Sequence, residues 1–239
     1  MEVFFKENWH SLFPTDIGLS LSTATLVPTF NQTIDSIMIS LPLPTMTAQA
    51  YQPRIEPRSL HIDPVECLMI QGYGSTLSPF FSECLETLFG VAFPLKFHQK
   101  AMGNSFDLPH LEGIWWTENG KPVSQVREEE WHWKLFFTMP NTVEKYMLDQ
   151  TLDRIEEKGR LKQLHRLDWM TLNEGMVVQA LHLGAYAQER GTIARMQLYM
   201  ELNNLEICGH HHEIYLNDPR ITNKDQLRTI LRYPVRQRD

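Results

Sequence analysis

The chain has 239 residues with a formal net charge of -7; 42% of its residues are hydrophobic and 21% charged, an ordinary globular balance with ample material for a core. The acidic excess argues against nucleic acid as the main partner, because phosphate binding needs a dense basic surface. Arg228, Arg232, Arg236 and Arg238 are too diluted by apolar residues to supply one. No apolar run approaches the ~20 residues that span a bilayer, so no membrane partner is expected.

Residues 1–50 read as a weakly ordered N-terminal extension. "TDIGLSLSTATLVPTFNQTIDSIMISLPLPTMTAQA" is rich in Ser, Thr and Pro and holds neither helical nor alternating periodicity. Glu2, Lys6, Glu7 and His10 interrupt any apolar leader, so no signal peptide is read. Met46 is an expected alternative start, since the patterned sequence follows it. Cys67, Cys84 and Cys208 form neither a disulfide framework nor a metal clip, and free thiols point to a cytoplasmic protein.

Residues 51–239 read as one domain. "SLHIDPVECLMIQGYGS" is a strand ending in turn residues. Ser78-Pro79 caps a helix through "FFSECLETLFGVAF" that loses its period near Pro94. "LEGIWW" is a strand entering the Asn119-Gly120 turn, and "EWHWKLFFTMP" is a strand stopped by Pro140. Asn141 and Glu144 stand at capping-box spacing before the helix "TVEKYMLDQTLDRIEEK", which Gly159 closes. "RLDWMTLNEGMVVQALHLGAY" gives two strands around Asn173-Glu174-Gly175. A third helix, "GTIARMQLYMELNNLE", precedes the strands "HHHEIYL" and "LRTILRYPV". Each half thus reads as strand, helix, strand, strand. This predicts an α+β fold of two pseudo-symmetric repeats, with an antiparallel sheet and helices on one side.

Chemistry concentrates in "CGHHHEIYLNDPR". On a strand, alternate residues take opposite faces. His211, Glu213 and Tyr215 share one face; His210, His212, Ile214 and Leu216 share the other. Adjacent histidines therefore diverge and cannot converge on one ion, so neither a metal nor another cofactor is expected. Ile214 and Leu216 look like helix-facing core, aiming Glu213 and Tyr215 across the sheet. Glu213 could neutralise a cationic aromatic ligand, with cation–π help of ~0.5–2 kcal/mol. It could act as a general base, or simply pair with a surface Arg or Lys. Trp115, Trp116 and Trp131 suggest an aromatic cleft, whereas Trp133 and Trp169 fit a core equally well.

The run "LEGIWW…EWHWKLFFTMP…VVQALHLGAY…HHHEIYLNDPR…LRTILRYPV" resembles the GyrI-like small-molecule-binding family over about residues 50–237. The likeness is to its stand-alone branch, which includes cyclopropanoid cyclohydrolases. Its blocks here are Trp115-Trp116, His182-Gly184-Tyr186, and His211 through Arg220. The resemblance implies a cleft between two repeats with a glutamate inside, matched by Glu213. It assigns catalytic roles to Glu213, Tyr186 and Tyr215. Trp115, Trp116 and Trp131 become stacking walls, and His182 and His211 further ligand-binding residues. Three functions follow from it: capture of hydrophobic, aromatic or cationic small molecules; hydrolysis of the cyclopropane ring of DNA-alkylating natural products; and a gyrase-inhibitor-like protein interaction.

Overall fold

A computed structural model describes residues 50–156, 161–219 and 221–239; residues 1–49 of the N-terminal extension, Met46 among them, and Gly159 and Arg220 lie outside them. Asp63-Pro64 splits the first expected strand into β1 (Arg58–Ile62) and β2 (Val65–Tyr73). α1 (Pro79–Ala101) starts at the Ser78 cap, whose hydroxyl accepts from the Phe81 N–H at 3.1 Å. It passes through Pro94 instead of ending there, because its apolar face continues into Leu95, which is fully buried. β3 (Glu112–Trp116) and β4 (His132–Thr138) follow, and α2 (Lys145–Glu156) links the halves. β5 (Leu167–Leu172) and β6 (Gly175–Leu183) precede α3 (Arg190–Leu202). That helix is shorter than its sequence pattern. Asn204 takes a left-handed φ of 55°, and the chain turns into the short strand β7 (Leu205–Ile207). β8 (His211–Tyr215) and β9 (Arg228–Gln237) complete the sheet.

The strands are all antiparallel, in the order β1-β6-β9-β8-β3-β4-β2-β5, with β7 on the side of β9. The two repeats, β2-α1-β3-β4 and β6-α3-β8-β9, therefore meet at the β3–β8 pair as the sequence pattern predicts. Each repeat's leading strand crosses over. β1 pairs with β6 of the second half, and β5 with β2 of the first.

Register fixes the faces. Ala180, Leu231, Glu213, Gly113, Leu135 and Ile70 lie in one row across the sheet. Leu135 and Ile70 pack under α1, and Ala180 and Leu231 pack under Met196 and Met200 of α3. Both helices thus lie on the Glu213 face, one over each repeat. Ile214 packs on the opposite face with Leu181 and Ile230. This corrects the expectation that Ile214 and Leu216 face the helices. Apolar residues fill both faces of this curled sheet, so apolar character alone could not assign one of them to the helices.

That opposite face buries an ionic network. The ring of His212, fully buried, meets Glu112 through Nε2 and Glu174 through Nδ1, each at 2.9 Å. Arg232, also fully buried, donates to Glu174 Oε2 at 2.8 Å, to Gln179 Oε1 at 3.1 Å and to the Ala50 carbonyl at 3.1 Å. The Tyr51 hydroxyl donates to Glu112 at 2.8 Å. Two carboxyl groups against an imidazole and a guanidinium balance charge where water cannot. Burial alone would raise the Glu174 carboxyl and lower His212. The His212 and Arg232 charges instead hold Glu174 down at about 2, and Glu174 and Glu112 raise His212 above its ordinary value.

A depressed carboxyl stabilises the native state above its ordinary value of 4.5, and that stability is lost as pH falls through about 2. The effect is worth roughly 3 kcal/mol. Glu174→Gln is therefore expected to be less stable than wild type at neutral pH and to lack its steep acid limb. Urea unfolding over a pH series tests this; parallel limbs in both proteins would contradict it.

Candidate functional site

The row under the gap between α1 and α3 carries a second polar cluster. Glu213 is 3% exposed, His211 7% and Glu189 8%. Glu213 Oε2 accepts from the Tyr215 hydroxyl at 2.8 Å, and Oε1 lies 3.1 Å from His211 Nε2. The same His211 nitrogen stands 3.9 Å from Glu189 Oε2, an ion-pair distance beyond hydrogen bonding. The Tyr215 oxygen also accepts from Trp115 Nε1 at 3.2 Å. One imidazole thus sits between two carboxyl groups, and a tyrosine and a tryptophan fix the orientation of one of them.

Gly113 makes this arrangement possible. It faces Glu213 in register, and a Cβ there would stand 2.8 Å from Trp115 Nε1 and 3.1 Å from the Tyr215 oxygen. The Trp–Tyr hydrogen bond passes over the space that glycine leaves. Trp115 packs against Phe81 of α1, with ring centroids 6.3 Å apart. Trp131 meets Trp115 edge-on at 5.9 Å and is fixed by Nε1 donating to the Val123 carbonyl at 2.9 Å. Tyr186 meets Tyr215 edge-on at 5.9 Å. Trp131 and Tyr186 are both half-buried and lie at the rim of the cluster.

Glu189 comes from the N-terminus of α3, where it is the helix's N-cap residue. Burial, then the Glu213 charge, push its carboxyl up to about 8, against the attraction of His211. Burial alone would lower His211, but Glu189 and Glu213 together raise it to about 9. Burial and Glu213 also raise the Tyr215 and Tyr233 hydroxyls. Among the described residues, Glu189 Oε1 and His211 Nδ1 are buried without a hydrogen-bond partner. His212, one residue away, has both nitrogens satisfied. Two similar trios therefore lie on opposite faces of β8. One is closed structural chemistry, and the other keeps unused lone pairs.

The structure brings Glu213, Tyr215, His211, Trp115, Trp131 and Tyr186 together. Trp116 is directed away by strand alternation and stacks with His132 and His210, at 5.6 and 5.2 Å. His182 stands behind the site. Its Nδ1 pairs with Thr192 at 3.1 Å and its Nε2 with the Ala185 carbonyl at 3.0 Å. It thereby braces the loop that carries Tyr186 and Glu189. Trp133 is core, fully buried with an edge-on contact to Phe81 at 4.9 Å. Cys84 is no nucleophile candidate, as burial pushes its thiol up to about 12. The residue that sequence reasoning missed is Glu189. In "GAYAQERGTI" it looks like an ordinary acidic residue at a helix start, and only its position three residues after Tyr186 hinted at more.

An open pocket of about 490 Å³ lined by Tyr73, Thr117, Glu118, Asn119, Glu129, Glu130 and His132 shares no side chain with the cluster. A smaller one of about 240 Å³ lies against His182, Thr192 and Arg195. Among the described residues no helix is long and apolar enough to cross a membrane.

No family model matches the chain, and no curated protein matches it. Solved structures do. An uncharacterized conserved protein from Listeria innocua is 28% identical, with a TM-score of 0.73 over 79% of this chain and 96% of its own. A structure described as a hydrolase from Listeria innocua is 27% identical, with a TM-score of 0.69 over 79% of this chain and 95% of its own. A hydrolase encoded by lin2189 from the same organism gives 27% and 0.71 over the same shares. The chain shares its fold with these proteins across nearly their full length.

Gly113→Ala is expected to destabilise the fold by roughly 1–3 kcal/mol through overpacking and to part Trp115 from Tyr215. Thermal melts and near-ultraviolet circular dichroism report both effects. An unchanged tryptophan signal would show that the contact does not depend on the glycine.

Proposed function

We propose that the chain is a hydrolase of small, flat, largely neutral electrophiles, and that strained cyclopropane rings in DNA-alkylating compounds are its substrate class. One observation carries this reading: two buried carboxyl groups, Glu213 and Glu189, flank a single imidazole beneath an aromatic wall. Their environments differ. Glu213 is held by two donors, while Glu189 has one oxygen without a partner and a carboxyl pushed up to about 8. Two carboxyl groups in different environments are the usual equipment for acid and base chemistry at one centre. The hydrolase description of two similar Listeria innocua structures supports the same reading.

In this mechanism the substrate displaces the half-buried Tyr186 and Trp131 and stacks on Trp115. Glu213 takes a proton from a water molecule, whose oxygen bonds to the ring carbon. The strained C–C bond breaks, and its electron pair moves into the conjugated carbonyl of the substrate. Glu189 delivers a proton to that carbonyl oxygen. His211 Nε2 holds Glu213 Oε1 at 3.1 Å, and after product release Glu213 loses its proton to solvent and Glu189 regains one from it. Tyr215 holds Glu213 in its reactive orientation. Ring strain supplies much of the driving force, so the protein need only exclude bulk water, place one water molecule and provide the two proton transfers.

Capture without turnover would use the same pocket, and one experiment separates the two. Purified protein is incubated with a cyclopropane-bearing alkylator and followed by mass spectrometry. Wild type is expected to form, catalytically, a product heavier by one water. Glu213→Gln and Glu189→Gln are each expected to lose about 10²–10⁴-fold in rate while still quenching tryptophan fluorescence on binding. Quenching by wild type without product would leave a binding protein. Undiminished turnover in either variant would remove that carboxylate from the mechanism.

A further inference from the structure

We propose that Glu189, His211 and Glu213 form a binding site for one divalent transition-metal ion, with Zn²⁺ as the preferred class. One donor atom from each residue lies within 4.8 Å of the other two, and all three residues are buried. His211 Nε2 stands 3.1 Å from Glu213 Oε1 and 3.9 Å from Glu189 Oε2. Donors about 2.0–2.2 Å from a tetrahedral ion are separated by roughly 3.3–3.6 Å, so the two observed spacings bracket that edge.

A second, independent observation points the same way. Glu189 is only 8% exposed, yet its Oε1 has no partner among the described residues. A buried carboxyl oxygen without a partner is costly, and an ion held by Glu189 through Oε1, or through both oxygens, would satisfy it. The supporting shell is built on one side, where Tyr215 donates to Glu213 Oε2 and leaves Oε1 to face the ion. On the other side His211 Nδ1 has no partner. Without that outer hydrogen bond the affinity should be roughly 10–100-fold below that of a site that has it.

The donor set selects the ion. One imidazole nitrogen and two carboxylate oxygens suit Zn²⁺. Ca²⁺ wants six to eight oxygens, and Mg²⁺ retains its waters in an octahedral shell, which suits a closed aromatic pocket poorly. An ion held by all three residues would occupy the carboxyl groups that the hydrolytic step uses, so the two readings compete for one site, and this one is measured with no substrate present.

The full chain, stripped with chelator, is titrated with ZnCl₂ by calorimetry, and bound metal is counted by plasma mass spectrometry. One Zn²⁺ per chain is expected, with little heat from MgCl₂. His211→Gln and Glu189→Gln should each weaken Zn²⁺ by more than about tenfold, since each removes one of three ligands. Cys208→Ser and His210→Asn, which change an exposed thiol and the imidazole stacked on Trp116, should leave binding unchanged. No binding by folded wild type would overturn the proposal, as would binding that survives His211→Gln or disappears in Cys208→Ser or His210→Asn. Co²⁺ loaded into wild type gives a readout that does not depend on variants folding. Visible ligand-field bands without a thiolate charge-transfer band are expected, and a thiolate band would place the ion at a cysteine and sink the assignment.

Discussion

Everything distinctive in this molecule depends on how β8 disposes of its buried charge. A strand sends successive side chains to opposite faces, so the neighbours His211 and His212 enter two separate interiors. Each meets two carboxyl groups there. On the His212 side Arg232 adds a second cation, and every donor and acceptor of the ring is engaged. On the His211 side there is no second cation within the trio, one carboxylate oxygen is unpartnered, and one ring nitrogen is idle. A fully satisfied network holds a sheet together and does little else. A network with unpartnered polar atoms keeps free-energy differences available for binding and proton transfer.

The pseudo-two-fold arrangement explains why this happens at β8 and β3. They are the two strands at the seam, where α1 covers one repeat and α3 the other. Between the helices the side chains that β3 and β8 project meet Trp131 and the loop that leads into α3. Gly113 contributes no side chain, so Trp115 and Tyr215 close over it. The result is a small polar centre with aromatic sides at the junction of two apolar cores.

Much of this was legible in the sequence. Turn residues and periodicity gave the two repeats, because "LEGIWW" and "HHHEIYL" fall at matching places. Alternation grouped His211 with Glu213 and Tyr215 on one face of β8, where the structure also has them. Two things were hidden. The face that meets the helices could not be read from Ile214 and Leu216, since this sheet buries both of its faces. Glu189 could not be read at all, because its partner lies 22 residues away on another strand and its local setting is that of a helix start. The Trp115–Trp116 pair shows the same limit: one ring joins the centre, and its neighbour stacks between two histidines on the other face.

The exchange of leading strands between the halves has a consequence for how such a chain can be divided or inherited. β1 belongs in sequence to the first repeat and in space to the second, and β5 the reverse. A fragment ending in the α2 linker would carry an edge strand with no neighbour to join and would expose β2 where β5 should lie. Each repeat therefore behaves as an incomplete template for the other, much as in a domain-swapped dimer whose two copies have been fused. Removing either half would leave the other without a strand that its sheet pairs with.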